Sequence, residues 1–197
     1  MTEIQEDEYG SSHVVETNEG SADEAIDYNS VHALERNWSL WFDNPSGRNR
    51  SCVKLVYTFD TVESFWSVYD NIKKPSSLSK GTNYRLFKEG IEPKWEDPQN
   101  AIGGALQFTV KGNIDDQWLD LQLATIGENF THIDAICGIN VSLRKAGNRV
   151  EIWTKNSKDE DVTRSIAQEM KQVLDIGIDE TISFKSHKEE LGINYKI

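Results

Sequence analysis

The stretch that most constrains the fold is "ICGINVSLRKAGNRVEIWTKN", residues 136–156. Two runs that alternate apolar and polar residues flank "KAGN", in which Gly147 and Asn148 can take the positive φ of a tight turn. This pattern predicts a β-hairpin, and a hairpin needs further strands or helices to cover its apolar side. The domain must therefore contain an antiparallel sheet.

Shorter runs elsewhere add strands and helices to this hairpin. Strands are predicted at 37–42, 52–59, 83–87, 104–112 and 181–187. The first predicted helix covers 60–72, with Asp60 as its cap, and the second covers 115–130, capped by Asp115 or Asp116. A third, over 159–176, has an acidic first turn and one apolar stripe. Neighbouring strands joined by short turns and separated by three helices give an α+β class, with an antiparallel sheet covered by helices on one face.

The second predicted helix carries two apolar stripes. Leu119, Leu123 and Ile126 cluster on one side of a helical wheel, and Trp118 and Leu121 lie well away from them. Only one stripe can comfortably face a single sheet. The other either belongs to a broad buried face or a helix–helix contact, or it forms a surface for a partner protein.

Charge separates the first 30 residues from the rest of the chain. The net charge is −12, and residues 1–30 hold nine of the 33 acidic residues and no Lys or Arg. We therefore expect residues 1–31 to be an acidic, disordered tail and 32–197 to be the folded domain. The domain is nearly neutral, so it lacks the basic excess of a general duplex-binding surface, but a small basic pocket for one nucleotide remains possible.

Cysteines and histidines point away from secretion and from catalysis. Cys52 and Cys137 have no metal-ligand or disulfide spacing, and the sequence shows neither a signal peptide nor a long apolar run. We expect an intracellular, soluble, monomeric protein without a metal or cofactor. The four histidines lie in no recognisable catalytic motif, so we do not expect an enzyme.

The loop "GIEPKWEDPQNAIGG", residues 90–104, places an aromatic residue and two acids between prolines. Pro93 and Pro98 restrain the backbone around Trp95, Glu96 and Asp97. One interpretation is that Trp95 closes the edge of a core and the acids are solvated. The other is that a rigid loop presents an aromatic ring and a carboxylate to a ligand.

Six blocks of the sequence together resemble a known family. "HALERNWSLWF", "FDTVESFW", "LFKEGIEPKWED", "IGENF", "ICGINVSLR" and "RVEIWTKN" occur in the order found in the translation initiation factor 4E family, which binds the 7-methylguanosine cap of messenger RNA. The resemblance runs from about residue 32 to 187. It implies a curved antiparallel sheet with three helices on the convex face and the cap pocket on the concave side.

The resemblance implies a cap site with three parts. Trp95 would stack on the cationic 7-methylguanine, and Glu96 would accept its two edge donors. Trp153 would lie against the methyl group. The phosphate chain would be held by basic side chains on and beside the hairpin, namely Arg144 and Arg149, with Lys145 and Lys155 as weaker candidates. Three of the other tryptophans, Trp38, Trp41 and Trp118, are predicted to be core.

The resemblance also implies a second surface, on the helical side. Family members dock a scaffold protein of the initiation factor 4G type, or a 4E-binding regulatory protein, through a short helical peptide. The corresponding residues are His32, Leu34, Val62, Trp66, Leu119, Asp120 and Leu123. The implied location is the cytoplasm, with the nucleus left open, and no membrane is involved.

The sequence departs from the family pattern at three places. The loop "DNPSGRNRSC", residues 43–52, contains no aromatic residue where the family usually has its first stacking Trp, which spacing places at Asn49 or near Arg50 or Cys52. Ala105 and Leu106 stand where a basic residue and Trp are common, and Ala33 replaces a usual proline. Weaker cap binding is therefore expected. The alternative function is a protein-interaction module with an impaired cap pocket that represses translation by occupying partners.

Overall fold

One antiparallel sheet organises the chain in a computed structural model that describes residues 30–44, 53–188, 191 and 193–197. Within these residues it has eight strands in the order β2-β1-β3-β5-β6-β4-β7-β8. The strands are β1 (Ala33–Asp43), β2 (Val53–Thr61), β3 (Asn83–Lys88), β4 (Gly104–Thr109), β5 (Ile136–Ser142), β6 (Arg149–Thr154), β7 (Ser183–Ser186) and β8 (Asn194–Lys196). The predicted hairpin is β5–β6, and its turn uses Gly147 at φ +135°, whereas Asn148 is not among the residues with positive φ.

Three helices cover one face of this sheet: α1 (Val62–Asn71), α2 (Ile114–Ile126) and α3 (Glu160–Val173). The predicted caps of the first two are wrong by one to three residues. Thr61 caps α1 in a reciprocal pair with Ser64, and Asn113 caps α2 by accepting from the Asp115 backbone N–H. In both cases a nearby side chain of similar chemistry has the extended backbone that a cap requires.

Side-chain alternation along the strands gives the sheet two different faces. On the helical face, one register row consists of Leu40, Leu86, Ile139, Ile152, Leu106 and Phe184, all nearly fully buried in the main core. Helix side chains such as Phe65, Trp118 and Ile166 complete that core. The opposite face carries a smaller cluster, Phe87, Ile91, Ala105, Cys137 and Trp153, together with polar residues. The α+β class and the curved sheet with helices on one side are confirmed.

Two of the three tryptophans predicted to be core are core. Trp38 and Trp118 are at most 1% exposed, and both belong to the main cluster. Trp41 is the exception, because it alternates with Leu40 and Phe42 and so points to the face away from the helices, where it is half-buried. The prediction for Trp41 was wrong because apolar composition does not reveal which face of a two-sided strand a residue occupies.

Two predicted segments fall outside the described residues. The acidic tail lies there except for Ser30 and Val31, and so does most of the loop 43–52, of which Asp43 and Asn44 are described. Strand β8 was not predicted. It has only three residues and pairs with β7 at the edge of the sheet.

Candidate functional site

The loop between β3 and β4 is held by buried polar side chains rather than by its aromatic residue. Asp97 is buried, and its carboxylate accepts from the backbone N–H of Glu92 at 2.9 Å and of Gln99 at 2.8 Å. Asn100, which is fully buried, donates to the carbonyls of Glu92 and Lys94. These bonds satisfy the backbone of a tight loop that forms no sheet ladder.

Trp95 and Glu96 are the residues that this scaffold leaves exposed. Trp95 is 52% exposed, and Glu96 is exposed as well. A Trp that closed the edge of a core would have most of its ring covered. The loop therefore presents an indole and a neighbouring carboxylate to solvent on a fixed backbone, as a binding platform would.

Trp153 lies at the floor of the sheet face away from the helices. It is 8% exposed, and its ring meets Phe87 edge-on with centroids 5.4 Å apart. Its Nε1 donates to Glu151 at 3.4 Å. Gly138 permits this packing, since a Cβ there would stand 2.4 Å from the Phe87 ring.

His187 contacts the same indole, with ring centroids 4.1 Å apart. Burial lowers the pKa of His187 to about 4, so its imidazole is neutral near pH 7. Its Nε2 is buried and has no hydrogen-bond partner among the described residues. A neutral ring against Trp153 adds no positive charge to the floor of this face.

Two arginines stand near the hairpin turn, at one end of the face. Arg144 is half-buried and donates to Asn83 Oδ1 at 2.7 Å and to the carbonyls of Thr82 and Leu143. Burial, and to a lesser extent Arg149, lowers the pKa of the Arg144 guanidinium. The Arg149 charge is near enough to contribute to this shift, and an anion bound beside both guanidinium groups would relieve their repulsion.

The two lysine candidates differ in position. Lys145 is exposed in the turn beside Arg144. Lys155 follows the far end of β6, near Lys88 and Cys137. It lies six positions after Arg149, which corresponds to roughly 20 Å of extended strand. The structure does not bring Lys155 together with the arginines.

Arg85 joins these parts. Its guanidinium donates through Nη1 to the Pro93 carbonyl at 3.2 Å, and its carbon lies 5.8 Å from the centre of the Trp153 ring. Its Nη2 donates to Asp43 Oδ2, also at 3.2 Å. The platform loop, the Trp153 floor and the end of β1 therefore meet at one side chain.

Sequence reasoning missed a set of polar residues on this face. They occupy alternate positions of β3, β5 and β6 and include Asn83, Arg85, Asn140, Ser142 and Glu151. Asn140 donates to Glu151 Oε2 at 2.8 Å, and both residues are buried. The available signal was a polar residue at every second position of these strands, which indicates that the second face of the sheet is not a purely apolar core.

The residues predicted for partner binding lie on the helical side. His32 is exposed, and its Nδ1 and the Glu63 carboxylate are 2.6 Å apart, which fixes the start of β1 to α1. Trp66 is 36% exposed and packs edge-on against Phe65 and Tyr69. Leu34, Leu119 and Leu123 are half-buried against the main core, Val62 is half-buried at the start of α1, and Asp120 is exposed. On α2, Ile126 is buried with Trp118 and Leu121, so only Leu119 and Leu123 remain of the predicted outer stripe.

Ala105 and Leu106, which stand where the family commonly has a basic residue and Trp, are both buried. Ala105 is buried beside Trp153, and Leu106 is fully buried in the main core. Among the described residues, no cluster of three or more His, Cys, Asp or Glu side chains could hold a metal ion. No helix in that part of the chain is long and apolar enough to cross a bilayer.

Comparison with known proteins gives one consistent result. Residues 33–196 match the family model described as eukaryotic initiation factor 4E. Eukaryotic translation initiation factor 4E-1 of Hordeum vulgare subsp. vulgare is 44% identical over 182 residues, which cover 89% of this chain and 84% of the relative. The eukaryotic translation initiation factor isoform 4E of Nicotiana tabacum is 41% identical, covering 80% and 81%.

Solved structures agree with these relatives. A complex of C. elegans eIF4E-3 with the 4E-binding protein Mextli and a cap analog has a TM-score of 0.80 and 38% identity, covering 85% of this chain and all of that one. Ascaris suum eIF4E-3 bound to an m2,2,7G cap has a TM-score of 0.77 and 40% identity, covering 81% and 93%. With a family model that spans the folded domain, the chain belongs to the eukaryotic initiation factor 4E family.

Proposed function

We propose that this protein binds the 7-methylguanosine 5′ cap of messenger RNA, and a helical peptide of a partner protein, in translation initiation or its regulation. One observation carries the cap assignment. Asp97 and Asn100 hold the loop that exposes Trp95 and Glu96, and Arg85 ties that loop to the face containing Trp153.

Each part of the site suits one part of the cap. The Trp95 indole attracts a cationic, flat 7-methylguanine more strongly than neutral guanine. The Glu96 carboxylate accepts from the guanine N1 and exocyclic amine, a pair of charge-assisted hydrogen bonds. Trp153 borders the methyl group. Arg144 and Arg149, with Lys145 at the rim, bind the phosphates.

The helical side of the sheet suits the partner peptide. Trp66 packs on Phe65 and Tyr69 of the main core cluster, against which Leu34, Leu119 and Leu123 are half-buried. Val62 is half-buried four residues before Trp66 on α1, and His32 and Asp120 are exposed on the same side. Exposed Trp with aliphatic neighbours is the composition of interface hot spots. The proposed partner is a scaffold protein of the initiation factor 4G type or a 4E-binding regulatory protein. This chain is proposed to be a monomer in the cytoplasm.

Titration of the purified protein with 7-methyl-GTP and with GTP, by calorimetry at fixed salt, tests the cap assignment. The protein should bind 7-methyl-GTP more tightly than GTP. Glu96→Gln should weaken 7-methyl-GTP binding by roughly tenfold to a hundredfold, because a bond to a charged acceptor is lost. Glu92→Gln is the matched control, since Glu92 lies in the same loop and pairs with Lys94 on the surface.

Equal binding of the two nucleotides, or an unchanged affinity in Glu96→Gln, would overturn the cap assignment. The alternative, an interaction module that represses translation by occupying partners, rests on the absence of an aromatic residue from 43–52. It would then be favoured if peptide binding were retained. Retention of Trp95, Glu96, Arg144 and Arg149 together argues for cap binding.

A further inference from the structure

A continuous chain of hydrogen bonds crosses the sheet face away from the helices. Arg144 Nη2 donates to Asn83 Oδ1 at 2.7 Å, and Asn83 Nδ2 donates to Asp43 Oδ2 at 2.8 Å. The same Asp43 oxygen accepts from Arg85 Nη2, and Arg85 Nη1 donates to the Pro93 carbonyl. The chain begins at a proposed phosphate-binding residue and ends two residues before Trp95.

The middle of this chain is buried. Asn83 is 2% exposed and Asp43 is 8% exposed, and the side chain of Arg85 is 16% exposed. An ion pair at this depth costs much of what it gains, because both charges lose water. The net contribution of the Arg85–Asp43 pair to folding stability is therefore small and does not by itself explain why the pair lies on this face.

The register explains why these residues meet. Asp43 is the last residue of β1 and stands directly opposite Asn83 of β3. Arg85 is two residues further along β3, so its side chain rises from the same face. From there it reaches both the end of β1, where the loop 44–52 begins, and the loop that carries Trp95.

We propose that Arg85 and Asp43 are positioning residues that hold the Trp95 loop in its ligand-binding geometry and connect it to Arg144. This inference rests on the proposed function for its ligand and goes beyond it in naming the residues that preorganise the site. Holding the loop before the cap arrives removes part of the ordering cost of binding. The pair also leaves Asp43 Oδ1 and Arg85 Nε buried without partners among the described residues, which is a cost in stability.

Arginine is required at position 85 because two acceptors on different elements are served by two nitrogens of one rigid plane. A lysine ammonium keeps the charge opposite Asp43, but it is a single point and lacks the planar fork. Arg85→Lys therefore separates the positioning role from the charge. Asp43→Asn tests the other partner with almost no change in shape.

The experiment uses the full chain with Arg85→Lys, Asp43→Asn and the control Arg164→Lys. Arg164 lies in α3 and pairs with Glu160 on the surface. Three quantities are measured for each protein: the thermal midpoint, amide hydrogen exchange of residues 92–100 in the free protein, and the dissociation constant of 7-methyl-GTP. The exchange measurement needs no ligand.

Arg85→Lys and Asp43→Asn should each speed exchange in residues 92–100 and leave exchange in α3 unchanged. Each should also weaken 7-methyl-GTP binding by roughly three- to tenfold, the loss expected when ordering of one loop segment is added to the cost of binding. The double variant should lose less than the two single losses combined, because both remove the same contact. Arg164→Lys should match the parent.

A purely structural role would lower the thermal midpoint while leaving loop exchange and nucleotide affinity as in the parent, and that result would overturn the inference. Should one variant fail to fold, the other decides. If the parent protein shows no preference for 7-methyl-GTP over GTP, the proposed function fails, and loop exchange alone still decides whether Arg85 and Asp43 position the loop.

Discussion

Replacing Trp95 by alanine gives the sharpest test of the platform. Trp95 is 52% exposed, so the substitution removes at most roughly 100 Å² of buried apolar area. The free energy of unfolding should therefore fall by no more than about 2.5 kcal/mol. Typical domains are stable by about 5–15 kcal/mol. The loop itself is held by Asp97 and Asn100, whose bonds do not involve the indole. The variant should therefore fold.

Binding should respond more than folding. Stacking of a base on an aromatic side chain contributes about 1–3 kcal/mol, which corresponds to a loss of roughly fivefold to 150-fold in affinity. The loss should be larger for 7-methyl-GTP than for GTP, because the cationic base gains an additional attraction to the indole. Trp95→Phe should fall between the parent and Trp95→Ala.

Calorimetric titration with both nucleotides at one salt concentration, with the thermal midpoint measured in parallel, gives the required comparison. Two results would refute the reasoning. One is an unchanged affinity for 7-methyl-GTP in Trp95→Ala, which would mean that the base binds elsewhere. The other is an unfolded variant, which would mean that Trp95 contributes to the core in spite of its exposure.

Three further predictions concern other parts of the molecule. Trp66→Ala should abolish binding of a helical peptide with a Tyr and a Leu-hydrophobic pair, measured by fluorescence anisotropy, and leave 7-methyl-GTP affinity nearly unchanged; unfolding of the variant would instead place Trp66 in the core. With Trp95 as the single predicted stacking Trp, the parent should bind 7-methyl-GTP roughly ten- to a hundredfold more weakly than family members with two. At least one of the loop variants Asn49→Trp, Arg50→Trp and Cys52→Trp should tighten this binding. Tight binding by the parent, with no gain in any variant, would mean that another residue supplies the second platform. Burial lowers the pKa of His187 to about 4, so between about pH 6.5 and pH 4 only the unfolded chain takes up this proton, and the free energy of unfolding should fall as the pH is lowered through that range. In His187→Phe it should fall less over the same range. An identical pH dependence in the two proteins would contradict the lowered pKa of His187.

Local sequence patterns determined the secondary-structure elements, and the six blocks that resemble the initiation factor 4E family were visible in the sequence alone. The β5–β6 hairpin and α3 follow from alternation and an apolar stripe, both of which are local properties. The "KWED" segment, with its two flanking prolines, likewise predicted a rigid loop, but the pattern left open whether Trp95 closes a core edge or faces a ligand, and only its exposure in the structure decided this. Helix caps were less certain, because Asp60 and Thr61, or Asn113 and Asp115, offer similar oxygens within one or two residues.

Only the tertiary structure decided which side chains share a face. Trp41 has the composition of a core residue, yet it lies away from the helices because of its place in the alternation of β1. Asp43 comes from β1, Asn83 and Arg85 come from β3, and Arg144 comes from the turn that follows β5. These residues lie up to 101 positions apart in the sequence and converge through the β1–β3–β5 register. Register is set by long-range pairing, and a slip of one residue would turn each of these side chains to the opposite face. For that reason the hydrogen-bond chain that ends at the Trp95 loop could not be derived from the sequence alone.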